Sequence, residues 1–131
     1  MSHRDISGDW AGHYSYPAGL GPSTPFLAVI RDDGGRLSGH VVEPNLMGRS
    51  GAHLNAVISG ARADRAIDFT KVYDGAGDAA HAVDYSGHLS EDGMTITGIW
   101  SLGTMDGRFE MRREDGGADA ATRKAEEEVR A

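Results

Sequence analysis

Five Ser-Gly or Thr-Gly pairs in the chain lie inside or beside a segment rich in residues that favour β-strands, while a sixth, Ser50-Gly51, falls in a predicted loop. The five pairs are Ser7-Gly8, Ser38-Gly39, Ser59-Gly60, Ser86-Gly87 and Thr97-Gly98. A glycine within a strand pattern usually marks a bulge, a tight bend or the close approach of two backbones. Five such pairs at comparable positions predict a sheet that curves strongly enough to close into a small barrel.

Eight β-like segments can be identified along the chain. They span residues 8–16, 25–31, 36–43, 53–62, 65–73, 80–89, 94–102 and 107–113. Turn-forming residues separate three pairs of these segments, at positions 32–35, 63–64 and 91–93. No stretch before residue 117 has a helical period. The sequence therefore predicts an all-β fold, an eight-stranded antiparallel barrel in up-and-down (meander) order.

The two ends of such a barrel are expected to differ. In an up-and-down barrel, the starts of odd strands and the ends of even strands share one end. All five glycine pairs and the three short turns fall at that end. The longer segments 17–24, 44–52 and 74–79 fall at the other. This predicts one tight end and one loop-lined end, as in barrels that hold a ligand.

Side chains alternate between the two faces of a strand, so one inward residue assigns its neighbours. Trp10 is taken as inward. On the second strand both faces are similarly apolar, so Phe26 and Leu27 remain alternatives. An apolar plug is predicted at the tight end, formed by Trp10, Leu37, Ile67, Tyr85, Ile96 and Met111. The candidate ligand-binding residues toward the open end are Tyr14, Tyr16, Glu43, Phe69, Lys71, Tyr73, His81 and Trp100.

The candidate ligand-binding residues can also be explained without a ligand. Glu43 and Lys71 are also compatible with strand ends that reach solvent. Tyr14 and Tyr16 are compatible with a solid core, because eight strands enclose little volume. His81 stands at the start of a strand, where an exposed side chain is common.

Composition excludes several classes of function. The net charge of −7 argues against binding to nucleic acids and to anionic membrane surfaces. The chain has no cysteine, and its six histidines lack the spacing of metal ligands, so no metal and no cofactor is expected. No apolar leader or long apolar run is present, and a cytoplasmic location is expected. No nucleophile–base pattern is visible, so no catalytic residue is assigned.

The motif Gly8-Asp9-Trp10 on the first strand resembles the G-x-W signature of the calycin group, which comprises lipocalins, fatty-acid-binding proteins and avidins. The resemblance covers about residues 6–113. It implies that an arginine of the last strand, Arg113 or alternatively Arg112, packs over Trp10. Segments 37–41, 58–60, 84–88 and 96–100 are most similar to avidins, which commonly assemble as dimers or tetramers. A homodimer or homotetramer is therefore compatible with the resemblance.

The chain departs from avidins at the biotin site. The positions that bind the ureido group of biotin in avidins hold Gly12, Tyr16, Val41, Glu43, His81 and Val83, and Tyr85 replaces a tryptophan. Among the aromatic residues that contact biotin, Trp100 alone is retained, so biotin is not the expected ligand. Residues 8–12 also resemble the first strand of nitrobindin-like haem barrels. The last strands contain no histidine, which argues against haem.

Residues 1–113 are therefore predicted to form a single barrel domain. Residues 114–131 are predicted to be a charged tail, either disordered or a short helix. The expected function is the binding of a small apolar or aromatic, and in one version anionic, ligand. One alternative is a structural or assembly barrel with a filled interior. Another is a lipocalin-like lyase or isomerase for a small aromatic substrate, with acid–base groups from Tyr14, Lys71, Tyr73 and His81.

Overall fold

The computed structural model describes residues 5–17, 23–44, 53–74 and 82–114. Eight antiparallel strands follow one another in meander order, and the first pairs with the last to close a barrel. The strands are β1 (Gly8–Ser15), β2 (Thr24–Asp33), β3 (Arg36–Pro44), β4 (His53–Ala63), β5 (Ala66–Tyr73), β6 (Ala82–Leu89), β7 (Thr95–Leu102) and β8 (Met105–Arg113). The predicted all-β barrel is confirmed.

Three short turns close the end of the barrel at which β1 begins. The β2–β3 turn is Gly34-Gly35, with φ angles of +62° and +101°, and the β4–β5 turn includes Asp64 at φ 59°. These positive φ angles place the residues in the region that glycine tolerates best. The β6–β7 turn spans residues 90–94. The predicted turns at this end are therefore confirmed.

The predicted open end is only partly described. Residues 103–104 form a two-residue turn there between β7 and β8. The longer predicted loops fall mainly on residues 18–22, 45–52 and 75–81, which lie outside the described residues. Residues 115–131 of the predicted tail also lie outside them.

Four of the five glycine pairs mark places where neighbouring strands come unusually close. A Cβ atom built on Gly39, Gly60, Gly87 or Gly98 would overlap a backbone carbonyl oxygen of a neighbouring strand. Gly87 and Gly98 also lie opposite each other in the β6–β7 ladder. Any larger residue would push these strands apart. The absence of a side chain therefore allows the tight curvature that the glycine pairs predict.

The inward face agrees with the alternation predicted from Trp10. All six residues of the predicted apolar plug are at most 3% exposed. The ambiguity on β2 is resolved in favour of Phe26, Ala28 and Ile30, which face inward, whereas Leu27 and Val29 face outward.

The N-terminal segment seals the tight end. The side chain of Ile6 is fully buried, and its backbone oxygen accepts a hydrogen bond from Trp10 Nε1 at 2.9 Å. Arg113, rather than the exposed Arg112, lies over the Trp10 ring. Asp32 joins this assembly by accepting the Ile6 backbone amide at 3.0 Å. The inward-facing polar side chains lie toward the opposite end of the barrel.

Candidate functional site

Four polar side chains converge inside the barrel, away from the Trp10 plug. Tyr14 lies near the end of β1, Glu43 near the end of β3, and Lys71 and Tyr73 near the end of β5. Odd-numbered strands all end at the open end, and each of these residues faces inward or toward the rim. Glu43 and Lys71 are each only 2% exposed. We call these four residues the polar cluster.

The carboxylate of Glu43 is the acceptor at the centre of the polar cluster. Its Oε1 atom accepts hydrogen bonds from the hydroxyl groups of Tyr14 at 2.7 Å and Tyr73 at 2.8 Å. Its Oε2 atom accepts a hydrogen bond from Lys71 Nζ at 3.1 Å, which also forms an ion pair. Three donors from two strands thus hold one carboxylate, and hydrogen bonds to a charged group are the stronger kind.

Three aromatic rings surround the Lys71 ammonium. The Nζ atom lies 4.6 Å from the ring centroid of Tyr14, 4.7 Å from that of Tyr73 and 5.2 Å from that of Tyr85. All three distances fall within the range of cation–π attraction. The ammonium therefore has an aromatic cage in addition to its partner Glu43.

Burial perturbs the protonation of these groups. Desolvation lowers the pKa of Lys71, while the negative charge of Glu43 and its hydrogen bond act in the opposite direction. Desolvation also raises the pKa values of Tyr14, Tyr73 and Tyr85 well above the ordinary tyrosine value, and the Glu43 charge adds to this effect. The three phenols therefore keep their protons at neutral pH. Those of Tyr14 and Tyr73 act as donors to Glu43.

A layer of apolar side chains lies beside the polar cluster at the open end. We call Tyr16, Trp100, Leu102 and Met105 the apolar rim; all but Trp100 are half-buried. The rings of Tyr16 and Trp100 meet edge to face with centroids 5.7 Å apart. Trp100 Nε1 donates to the backbone oxygen of Ser15 at 2.9 Å. The indole is therefore held in place, and a face of the rim remains accessible at Tyr16.

The barrel interior below the polar cluster is closely packed. The rings of Phe69 and Tyr85 stack with centroids 4.8 Å apart, and Phe109 meets Tyr85 edge to face at 5.0 Å. A cavity of about 10 Å³ is lined by Phe69, Tyr85 and Lys71, together with Phe26, Met111 and smaller apolar side chains. That volume is about the size of one water molecule. A molecule larger than water therefore fits in the interior only if side chains move.

The structure brings most of the predicted ligand-binding residues together. Tyr14, Glu43, Lys71 and Tyr73 form the polar cluster, Tyr16 and Trp100 belong to the rim, and Phe69 lies in the packed layer below. His81 lies outside the described residues. The alternative in which Glu43 and Lys71 reach solvent is wrong, because both are buried.

Two features of the site were not identified from the sequence. The sequence predicts Tyr85 as part of the apolar plug, yet its ring is one wall of the Lys71 cage. Its inward parity on β6, next to β5, is the signal for this contact. The second feature is Gly107: a Cβ atom there would overlap the backbone oxygen of Ser15 and come within 2.6 Å of Trp100 Nε1, so glycine makes room for both the neighbouring strand and the indole. The acid–base roles of Tyr14, Lys71 and Tyr73 stay a prediction.

The described residues show neither a metal-ligand cluster nor a membrane-spanning helix. These residues contain no group of three His, Asp or Glu side chains placed to hold a metal ion. They also contain no helix with the length and apolar character needed to cross a membrane. The chain matches no protein-family model, and no curated protein is significantly similar to it.

Proposed function

We propose that this protein is a small-molecule-binding barrel that receives a flat apolar or aromatic ligand at its open end. The observation that carries this proposal is the polar cluster, in which a charged pair is buried inside the barrel directly beside an aromatic rim. An apolar surface with a few convergent polar groups is the usual composition of a ligand site.

Stability alone is a poor reason for such a cluster. Burying Glu43 and Lys71 requires the desolvation of two charges, and apolar residues of similar volume often give an equally stable or more stable core. Ionisable groups whose pKa values are shifted by burial and by neighbouring charges are concentrated at functional sites. The polar cluster is thus better explained by recognition of a ligand than by the needs of folding.

The size of the interior limits where the ligand sits. Since the cavity beside Lys71 has a volume of about 10 Å³, the ligand body lies over the rim and not in the depth of the barrel. The half-buried rings of Tyr16 and Tyr73 offer surfaces on which a flat molecule stacks.

A relationship to the calycin group is part of the proposal. The meander barrel and the Arg113 side chain above Trp10 support it. The avidin-like ligand biotin is not proposed, because Gly12, Val41 and Val83 offer no side-chain hydrogen bonds at the positions that bind its ureido group in avidins.

The two tryptophans provide an internal test of the proposal. Trp10 lies in the plug and Trp100 in the rim, so their indole N–H signals report on opposite ends of the barrel. Titration with 2-naphthol and 2-naphthoate, followed by ¹⁵N NMR, should shift the Trp100 signal and leave the Trp10 signal in place. Tyr16→Ala should weaken the binding of both probes. The matched control is Ile99→Ala, an exposed change on the outer face of β7. Unchanged Trp100 signals with both probes would refute the proposal.

A second candidate function is assembly, favoured by the outer surface of the barrel. Leu27, Val29 and Val57 are 50%, 44% and 49% exposed. His40 pairs with Val29 on one side and Val57 on the other, so these residues form a continuous surface across β2–β4 that contains no Lys, Arg, Asp or Glu. A filled interior together with this surface suits a structural barrel that forms a homodimer or homotetramer.

Light scattering during size-exclusion chromatography distinguishes this candidate. If assembly is the function, the wild-type chain forms an oligomer, and Val57→Lys converts it to a monomer. Ile99→Lys, on the outer face of β7, is the control and should leave the oligomer intact. A monomeric wild-type chain at high concentration would contradict the assembly role.

A further inference from the structure

Within the proposed ligand-binding function, we propose that the polar cluster is a receptor for a carboxylate group, and that Glu43 occupies this receptor when no ligand is bound. The natural ligand is then a small monocarboxylate with an apolar or aromatic body. The proposal deepens the function proposed above and rests on it for the ligand, but the receptor itself can be tested separately.

The donors around Glu43 form the kind of arrangement that binds a free carboxylate. Two hydroxyl groups, from Tyr14 and Tyr73, reach one oxygen at 2.7 and 2.8 Å, and the Lys71 ammonium reaches the other at 3.1 Å. Donors to both oxygens fix the position and the plane of the group, and the ammonium supplies the opposite charge. A carboxylate from another molecule would satisfy the same three donors.

These donors are positioned by contacts that do not involve Glu43. The Lys71 ammonium is enclosed by the rings of Tyr14, Tyr73 and Tyr85. The Tyr14 ring in turn packs on Phe26, Trp100 and Tyr16, with centroid distances of 6.3, 6.0 and 5.8 Å. The receptor is therefore expected to keep its shape when the Glu43 side chain leaves it.

Glu43 is the member of the cluster that is best placed to leave. It is the second-last residue of β3 and precedes Pro44, which has no backbone N–H to donate. Its carboxylate stands at the end of a long side chain, whereas the Tyr14 ring is fixed by packing against three other rings. Rotation of the Glu43 side chain toward the open end would release all three donors at once.

Exchange of one carboxylate for another is also electrostatically balanced. The pair of Glu43 and Lys71 has no net charge, and replacing Glu43 by a ligand carboxylate leaves one negative and one positive group in the cluster. A neutral ligand would leave the buried ammonium without a counter-charge, and a cationic ligand would place a second positive charge beside it. The cluster therefore selects carboxylates over amides, alcohols and amines.

The apolar rim determines which kind of molecular body the carboxylate ligand carries. A molecule whose carboxylate is held by Lys71 and Tyr14 would extend toward Tyr16 and Trp100, which meet the Tyr14 ring at 5.8 and 6.0 Å. These rings favour a flat apolar body by stacking. An aromatic or short branched monocarboxylic acid meets both requirements.

The receptor is tested first by removing Glu43. Glu43→Ala leaves a vacated space beside three unsatisfied donors, so the variant should be destabilised and propionate should restore part of the loss. The expected result is a saturable rise in melting temperature with sodium propionate. Propionamide, ethylammonium chloride and sodium chloride at equal ionic strength should give no such rise. Wild-type protein should respond far less, because Glu43 already fills the site. Equal effects of propionate and propionamide would overturn the proposal.

The second test uses wild-type protein and does not depend on the folding of the Glu43 variant. In the ¹⁵N NMR titration, 2-naphthoate should bind at least about tenfold more tightly than neutral 2-naphthol, because only the former brings a charge-assisted partner to Lys71. Lys71→Met should remove this preference while keeping weak binding at the rim. Equal affinities would overturn the carboxylate receptor but leave the ligand-binding barrel standing. Rescue of Glu43→Ala by propionate, with no naphthyl probe bound by wild type, would support the receptor and refute the proposed function.

Discussion

The guanidinium group of Arg113 lies over the indole ring of Trp10, with 4.6 Å between its Cζ atom and the ring centroid. The same group donates hydrogen bonds to the backbone oxygens of Asp5, Ser7 and Gly93, at 2.8, 2.7 and 3.2 Å. One side chain at the end of β8 therefore joins the segment before β1 to the β6–β7 turn. It holds the tight end of the barrel closed where the first and last strands meet.

Replacement of Arg113 should destabilise the barrel markedly. Arg113→Ala removes the cation–π contact and leaves three backbone acceptors without this donor. We expect the free energy of unfolding to fall by about 2–4 kcal/mol. Urea unfolding followed by tryptophan fluorescence measures the change. Arg112→Ala is the control: it removes the same charge from an exposed neighbour and should change stability by less than about 0.5 kcal/mol. Equal effects of the two changes would contradict the role given to Arg113.

Asp32 should make the barrel sensitive to acid. Burial raises the pKa of this carboxyl group, but hydrogen bonds from Arg62 and from the amides of Ile6 and Gly35 outweigh that effect and hold the pKa below its usual value. A lowered pKa in the folded state means that the stabilisation is present above the unfolded-state pKa of about 3.9. It is lost as the pH falls through the lower, folded-state pKa.

Asp32→Asn should therefore be less stable than wild type at neutral pH, and the difference should shrink as the pH falls below about 4. Urea midpoints measured between neutral and acidic pH test this expectation. Asp33→Asn, an exposed change at the next position, is the control and should be close to wild type in stability at neutral pH. A constant difference between Asp32→Asn and wild type across this range would show that the charge of Asp32 has no part in it.

Much of the fold could be predicted because short segments of sequence indicate both where the sheet curves and which side chains of a strand face inward. The glycine pairs indicated where strands approach, and Trp10 set the inward parity that Leu37, Ile67 and Ile96 follow. The inward face of β2 could not be predicted. Phe26 and Leu27 are both apolar, and only pairing with β1 and β3 determines which of them is buried. The sealing role of Ile6 was also hidden, because that residue precedes the first strand.

The candidate site was predictable as a set of residues but not as a network. Alternation and strand direction placed Tyr14, Glu43 and Lys71 near one end. These two patterns do not show whether Glu43 and Lys71 reach solvent or form a buried ion pair. The burial of the pair depends on side chains from other strands that pack around it. Parity places Tyr85 on the inward face, but its height beside Lys71 depends on the stagger between β5 and β6, which no single segment encodes. Contacts between side chains of different strands could therefore not be predicted from this one sequence.

Three tyrosines should resist ionisation for as long as the barrel is folded. Burial raises the pKa values of Tyr14, Tyr73 and Tyr85 above the ordinary value of about 10. Groups with a raised folded-state pKa stabilise the fold below the unfolded-state value, and this contribution is lost as the pH rises above it. The barrel should therefore lose stability above about pH 10.

Absorbance at the phenolate band during alkaline titration tests this behaviour. The signal of these three phenols should appear together with the loss of near-ultraviolet circular dichroism, whereas the chain in guanidinium chloride should titrate near about pH 10. Full ionisation of all four tyrosines while the circular dichroism stays native would contradict the burial of the cluster.

The buried pair of Glu43 and Lys71 should show strong energetic coupling. Glu43→Gln leaves the Lys71 ammonium uncompensated inside its aromatic cage, and Lys71→Met leaves the carboxylate with only its two tyrosine donors. Each single change should lower the free energy of unfolding by about 3–5 kcal/mol. The double variant Glu43→Gln with Lys71→Met buries no charge, so it should lose clearly less than the sum of the two single changes. Urea unfolding of all four proteins measures the coupling. Additive losses would mean that the two charges do not stabilise each other, and the cluster would then have to be explained by its tyrosine hydrogen bonds alone.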